Sequence, residues 1–241
     1  MRFLLVPSPL TGPSSFEPLA RALGAGAHVL TPRPPAAPPY WETWANSAVA
    51  SAPRHAVDDG EPAVLIGHSG AGPGLPAIAP RLSELGVAVA GVVYLDATLP
   101  GAYRSWLASY TDAAGDLAAQ AAARGGAVPN PWGDPRRWVA LGVEADAARS
   151  LAAEAEDLPY DWYAEPYPLT LRHDSAAAFT AFEPNAFYRP MVERAMAAGW
   201  AVAALRGHHF HHLTLPDEVA ETIHALTSGW REPRPRRPPG V

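Results

Sequence analysis

Residues 63–74 read AVLIGHSGAGPG. The apolar run from Ala63 to Ile66 is followed by Gly67, His68, Ser69, Gly70, Ala71 and Gly72, and then by a segment that continues as helix. Unbroken apolar residues running into glycines describe a buried strand that ends in a tight turn, so the stretch reads as strand, turn and helix with a serine at the tip. In a turn of this kind the residues two before and two after the serine must be small, because strand and helix approach closely. Gly67 and Ala71 meet that demand, with alanine standing where a second glycine is more usual. A glycine-rich turn without chemistry has the same pattern. A reactive serine needs more: a base, a carboxylate to orient it, and donors for a developing oxyanion.

Outward from this turn the chain alternates regularly. Upstream, Arg2–Val6 (RFLLV) reads as a strand, Ser14 or Ser15 as the cap of a helix with Phe16, Leu19, Ala20 and Leu23 on its apolar face, and Ala27–Leu30 as a second strand. Prolines from Pro32 to Pro39 exclude helix interior and central strand, and Tyr40–Val57 reads as a helix broken near Pro53. Downstream come a helix over 73–85, an apolar strand Val87–Leu95 ending at Asp96, a strand over 177–182, and a helix Phe187–Ala198 closed by Gly199. The strand Trp200–Leu205 and a final helix from Pro216, with Val219, Ile223 and Leu226 at helical spacing, complete the pattern. Apolar strands separated by helices predict an α/β protein: a mostly parallel central sheet with helices on both faces. Ligands of such sheets bind beyond the carboxyl ends of the strands, where residues 7–12, 68–70 and 96–100 would gather.

The stretch from Tyr103 to Asp174 departs from this alternation. It holds alanine-rich, helix-like pieces (111–124 and 142–156) separated by Pro129, Pro131 and Pro135, with aromatics at Trp106, Trp132, Trp138, Tyr160, Trp162, Tyr163 and Tyr167. We read residues 103–175 as a helical cap on a core formed by 1–102 and 176–229, and 230–241, rich in proline and arginine, as a disordered tail. Each aromatic alone is enough to glue a cap in place. As a set they imply an apolar pocket.

Composition narrows the chemistry. A chain of 241 residues with 48% hydrophobic and 17% charged residues forms one large globular domain, and no apolar run reaches the roughly 18–20 residues of a membrane span. The run Phe3–Val6 is too short for a secretory h-region of about 7–15 residues, so a cytoplasmic location is expected. The absence of cysteine excludes disulfides and thiol nucleophiles, and the absence of lysine excludes a Schiff base or a P-loop. A net charge of −6 argues against nucleic-acid partners, despite four arginines between Arg231 and Arg237.

The only histidines between a late strand and the final helix lie in HHFHH, residues 208–212. Serine early, histidine late and an acid between is the order used by hydrolases with this turn. The chain resembles the α/β-hydrolase superfamily over roughly residues 2–229. The resemblance is carried by RFLLVPSPLTGPSSFEPLARAL, AVLIGHSGAGPG, VVYLDATLPG and GWAVAALRGHHFHHLTLPDEVAETI.

The resemblance implies roles for particular residues. Ser69 would be the nucleophile. Relatives carry a Gly-His pair about seven residues before a proline like Pro216, which points to His209 as the base, with His208 as the alternative and His211 and His212 supporting or at the surface. The acid is Asp96, at the end of the strand after the turn, or Glu183 after the penultimate strand, or there is a dyad without a dedicated acid. One oxyanion donor would be the Gly70 N–H. The other should come from the loop after the first strand, where Pro9 has no N–H, leaving the Leu10 amide or the Ser8 hydroxyl. Ser8, Pro9, His68, Trp106, Trp132 and Trp162 are the expected pocket residues. The reading is a cofactor-free, metal-free serine hydrolase for a small ester, thioester or lactone, with a small-molecule substrate, no membrane partner and the oligomeric state open. A lyase or cyclase using Ser69 and His209 as acid and base, or a non-catalytic ligand-binding protein, are the alternatives.

Overall fold

Alternation along the first strand sets the layering. Phe3 and Leu5 point to one side of the sheet and Leu4 and Val6 to the other, and all four are buried. The computed structural model describes residues 1–53, 60–109, 114–167, 176–183 and 185–230. In chain order its core elements begin with β1 (Arg2–Val6), α1 (Glu17–Leu23), β2 (Ala27–Val29), α2 (Tyr40–Ala50), β3 (Ala63–His68), α3 (Leu75–Glu84) and β4 (Val89–Leu95). Between β4 and the next core strand lie α4 (Trp106–Ser109), α5 (Ala114–Ala123), β5 (Ala127–Val128), α6 (Pro135–Ala140), α7 (Ala145–Ala153), β6 (Leu158–Pro159) and α8 (Tyr160–Ala164). The chain returns with β7 (Ala176–Glu183), α9 (Arg189–Ala197), β8 (Ala201–Arg206), α10 (His211–Thr214) and α11 (Pro216–Thr227).

Six strands form one parallel sheet in the order β2-β1-β3-β4-β7-β8. One face carries Phe3, Leu5, Val64, Ile66, Val93, Leu95 and Phe182 against Phe16, Leu19 and Leu23 of the α1 region and Val219 and Ile223 of α11. The other carries Leu4, Val6, Leu65, Val92, Tyr94 and Phe179 against Trp41 and Trp44 of α2, Ile78 and Leu82 of α3, and Met191 and Ala195 of α9. The expected class holds: a parallel sheet covered by helices on both faces.

Several local expectations are adjusted. Neither Ser14 nor Ser15 caps α1, whose N-cap is Phe16 with no side-chain cap bond. Ser15 Oγ turns back to the Gly12 carbonyl, 2.7 Å away, and Ser14 donates to the carboxylate of Glu154 in the inserted segment. The helix expected over Tyr40–Val57 ends at Ala50, and residues 54–59 lie outside the described residues. The helix expected from Phe187 starts at Arg189, because Pro190 fits a first turn, where no intrahelical N–H is needed. The expected tail lies outside the described residues apart from Trp230, whose ring lies beside Gly91.

The inserted segment is tied to the core by side-chain hydrogen bonds. Glu165, just after α8, accepts the Tyr40 and Trp41 amides at 2.9 Å, so an acid from the insertion caps the start of α2. Asn130 Nδ2 donates to the Leu10 carbonyl at 3.0 Å, tying the insertion to the loop after β1. Among the described residues no helix is long and apolar enough to cross a membrane.

Candidate active site

The turn after β3 carries Ser69 at φ +57°, in the left-handed region. The neighbours allow that strain. A Cβ on Gly67 would come within 2.7 Å of the Leu75 side chain, and one on Gly72 would lie 2.0 Å from the Thr98 carbonyl oxygen. The turn is therefore pressed between α3 and the loop after β4, and the Ser69 carbonyl accepts the Thr98 amide at 3.1 Å. Among the described residues only one other non-glycine has positive φ: Asp96, at +40°, on the first residue past β4. Such conformations persist only where the surroundings impose them, and they cluster at functional sites.

Asp96 and Ser69 converge on one imidazole. His209 Nδ1 lies 2.7 Å from Asp96 Oδ2, and His209 Nε2 lies 2.9 Å from Ser69 Oγ. Asp96 is fully buried, and its carboxylate also accepts the Asn185 Nδ2–H at 2.8 Å and the Phe182 amide at 3.3 Å. Since a carboxylate accepts, Nδ1 carries the imidazole hydrogen and Nε2 presents its lone pair to the serine hydroxyl. The His209 side chain keeps 22% of its surface exposed.

Four further histidines lie in or against the loop that carries His209. His68, behind the serine, is buried and donates from Nε2 to the His209 carbonyl at 2.8 Å. His212 is fully buried, 4.3 Å from His68 between ring centroids. Burial, reinforced by the neighbouring histidines, drives the basicity of both well below the ordinary imidazole value. His208 accepts the Phe210 amide on Nδ1 and so donates from Nε2 to Thr214 Oγ1. Burial lowers its pKa as well. His211 is paired with Glu218 at 3.0 Å.

The α/β-hydrolase family model matches residues 3–222, nearly the whole chain. The chain belongs to the α/β-hydrolase family. Its fold also matches solved α/β-hydrolase structures end to end. An extracellular α/β-hydrolase from a Paenibacillus species, described as sharing homology with tobacco salicylic acid binding protein 2, superposes with a TM-score of 0.70 at 15% identity, covering 94% of this chain and 98% of that one. The pyrethroid hydrolase PytH gives 0.64 at 17% identity over 96% and 99% of the two chains. A variant of tomato methylketone synthase I complexed with β-ketoheptanoate gives 0.66 at 15% over 95% and 97%. At these identities the likeness is one of fold. No curated protein matches by sequence.

In this α/β-hydrolase the sequence candidates separate into those at Ser69 and those elsewhere. Glu183 is exposed at the end of β7, and the imidazole face an acid would address is occupied by Asp96. His208 is turned to Thr214, away from the serine. His68 lies wholly beneath the loop and lines no pocket wall. Leu10 offers no free donor in this conformation, since its amide points to Ser8 Oγ at 3.3 Å. Ser8 and Pro9 line a cavity of about 520 Å³ that they share with Thr31, Arg33 and Glu154. Of the tryptophans, Trp106 lies directly on the turn: a Cβ on Gly70 would sit 2.1 Å from its Cζ2. Trp162 stands behind it, 6.1 Å between ring centroids, and Trp132 packs instead on Trp138 and Phe210.

Two residues at the site went unread in the sequence. Asn185 braces Asp96, and Tyr188 places its hydroxyl 3.2 Å from Ser69 Oγ with its ring stacked 5.2 Å from that of His209. The stretch FEPNAFYRP carries no spacing signal that would single them out. Among the described residues no cluster of three or more His, Cys, Asp or Glu side chains is placed to hold a metal ion.

Proposed function

We propose that this α/β-hydrolase is a serine hydrolase of a small ester, thioester or lactone held between the Ser69 turn and the aromatic side chains of the inserted segment, residues 103–175. The observation that carries the reading is the continuous relay from Asp96 through His209 to Ser69, with both spacings under 3 Å. In it, Ser69 Oγ attacks the substrate carbonyl carbon while its proton passes to His209 Nε2. The imidazolium is stabilised by Asp96 and delivers that proton to the departing alcohol or thiol. Water then attacks the acyl-serine, giving its proton to His209, which returns it to Ser69 Oγ as the ester bond breaks and the acid leaves. The Gly70 amide, next after the nucleophile, is the donor to the oxyanion.

The loop after β1 favours keeping one second reading. With no N–H on Pro9 and the Leu10 amide turned to Ser8, a lyase or cyclase that uses Ser69 and His209 only for proton transfer places fewer demands on that loop. The two readings part on a covalent intermediate. A fluorophosphonate is expected to label the wild-type protein at Ser69 and to leave Ser69→Ala unlabelled and inactive. Turnover without any acyl-serine would select the second reading, and labelling of Ser69→Ala would remove Ser69 from its role.

A further inference from the structure

The loop after β1 has no amide at Pro7, Pro9, Leu10 or Thr11 to give an oxyanion, which leaves Ser8 alone. Pro7 and Pro9 have no N–H, and the amides of Leu10 and Thr11 are directed to the Ser8 hydroxyl and the Ser8 carbonyl at 3.3 and 2.9 Å. On the other side of Ser69 stands a donor that the family pattern does not call for. The hydrogen-bond directions around the serine follow from its partners. Asp96 only accepts, so His209 Nδ1 donates to it. His209 Nε2 then accepts the Ser69 hydrogen, and Ser69 Oγ is left to accept from the Tyr188 hydroxyl at 3.2 Å.

We propose that Tyr188 is a catalytic hydrogen-bond donor that takes the place of the missing backbone donor of the first loop. In the resting site its phenol donates to the nucleophilic oxygen. When Oγ becomes an ester oxygen it is a poorer acceptor, and the negative charge moves to the carbonyl oxygen on the same tetrahedral carbon. The phenol re-aims at that oxygen without leaving its place, because its ring is fixed: it is buried and stacks on His209 at an interplanar angle of 14°. Pro190, in the first turn of α9, starts the helix immediately after Tyr188. The Tyr188 amide closes a turn onto the Asn185 carbonyl, so the same short segment braces the acid and presents the phenol. No proton leaves Tyr188 in this role; it donates a hydrogen bond only.

The proposal rests on Ser69 being the nucleophile, and the test separates the two. Full-length protein is assayed with p-nitrophenyl acetate as the substrate probe and a fluorophosphonate as the label. A wild-type protein left unlabelled at Ser69 overturns the hydrolase reading and the proposal with it. Given labelling, Tyr188→Phe keeps the stacked ring and removes only the hydroxyl. It is expected to lower kcat about 10²-fold, the usual effect of losing one oxyanion donor, with KM little changed and labelling slowed in parallel. A kcat within twofold of wild type, with labelling intact, overturns the proposal alone. A second measurement separates donation from packing and serves if the Phe variant does not fold. With 3,5-difluorotyrosine, whose phenol is more acidic, at position 188, the alkaline limb of the kcat profile is expected to move to lower pH. An unmoved limb overturns the proposal.

Discussion

On one side of Ser69 an imidazole and the groups that fix it come from the ends of three neighbouring strands; on the other, a proline-flanked loop turns its Leu10 and Thr11 amides on itself. The histidine side is over-determined. Asp96 follows β4 directly, Phe182 and Asn185 lie at and beyond the end of β7, and His209 follows β8, so neighbours in the sheet become neighbours in the site. The loop after β1 is equally buried at Ser8 and Pro9, yet its order serves its own turn. Burial alone thus says nothing about readiness for chemistry. What matters is whether donors and acceptors are left aimed at the reacting atoms.

The largest expected effect comes from breaking the ordered side. Asp96→Asn keeps the volume and the Phe182 contact on Oδ1, but an amide nitrogen at the Oδ2 position gives up the Asn185 bond and, facing Nδ1, favours the imidazole tautomer that cannot accept the serine proton. We expect kcat to fall about 10⁴-fold, as when a triad aspartate becomes asparagine elsewhere. Measured on p-nitrophenyl acetate beside Glu183→Gln, the contrast is direct: Glu183→Gln should stay within about threefold of wild type, because an exposed carboxylate that does not hold the imidazole gives the barrier little. Equal losses in the two variants would return the acid to the end of β7.

That contrast shows where sequence reading stops. Ser69 is legible because the demand for small neighbours is local, and the Leu75 and Thr98 contacts at Gly67 and Gly72 are the physical form of that demand. The approach of His209 to Ser69 is legible from order along the chain and its distance from Pro216. Asp96 against Glu183 could not be decided, since the choice depends on how far the loop after β8 leans across the end of β7, which is tertiary. Ser14 and Ser15 looked like caps by the same local logic, and Ser14 instead met Glu154, 140 residues away. Tyr188 was invisible for a related reason: an aromatic before Arg-Pro reads as packing, and only the fold brings its hydroxyl to the serine. The alternation of apolar strands, by contrast, is a property of each strand alone, and all six strands of the sheet were found within about two residues of where they were expected.

The histidine side should also fail selectively in acid. His68 and His212 are buried with basicity well below the ordinary value of 6.5, because burial and their histidine neighbours disfavour charge. Below pH 6.5 the unfolded chain takes up protons at these two positions that the native state refuses, so stability is complete above that pH and falls as the pH drops through it. Each histidine contributes up to about 1.4 kcal/mol per pH unit. Urea midpoints compared at neutral and mildly acidic pH should show the loss, and His212→Leu should remove about half of the pH slope. A slope unchanged in that variant would place the acid sensitivity outside the histidine cluster.

The smallest effect, and the sharpest for the comparison, is expected from repairing the poor side. Pro9→Ala restores an N–H in the loop where the family resemblance expects a donor, at the cost of a few tenths to about 1 kcal/mol of stability from the freed backbone. If Tyr188 already stabilises the oxyanion, the new amide finds that work largely done, and wild-type kcat should rise by less than about threefold. In a Tyr188→Phe background the same change fills a vacant role and should recover at least about tenfold of the lost rate, since one donor is worth about 10²–10³. The two substitutions share one charge in the transition state, so their effects should be strongly non-additive. Equal gains from Pro9→Ala in both backgrounds would mean that the phenol and the loop amide act on different atoms, and the first loop would then be a missing part that nothing on the Tyr188 side replaces.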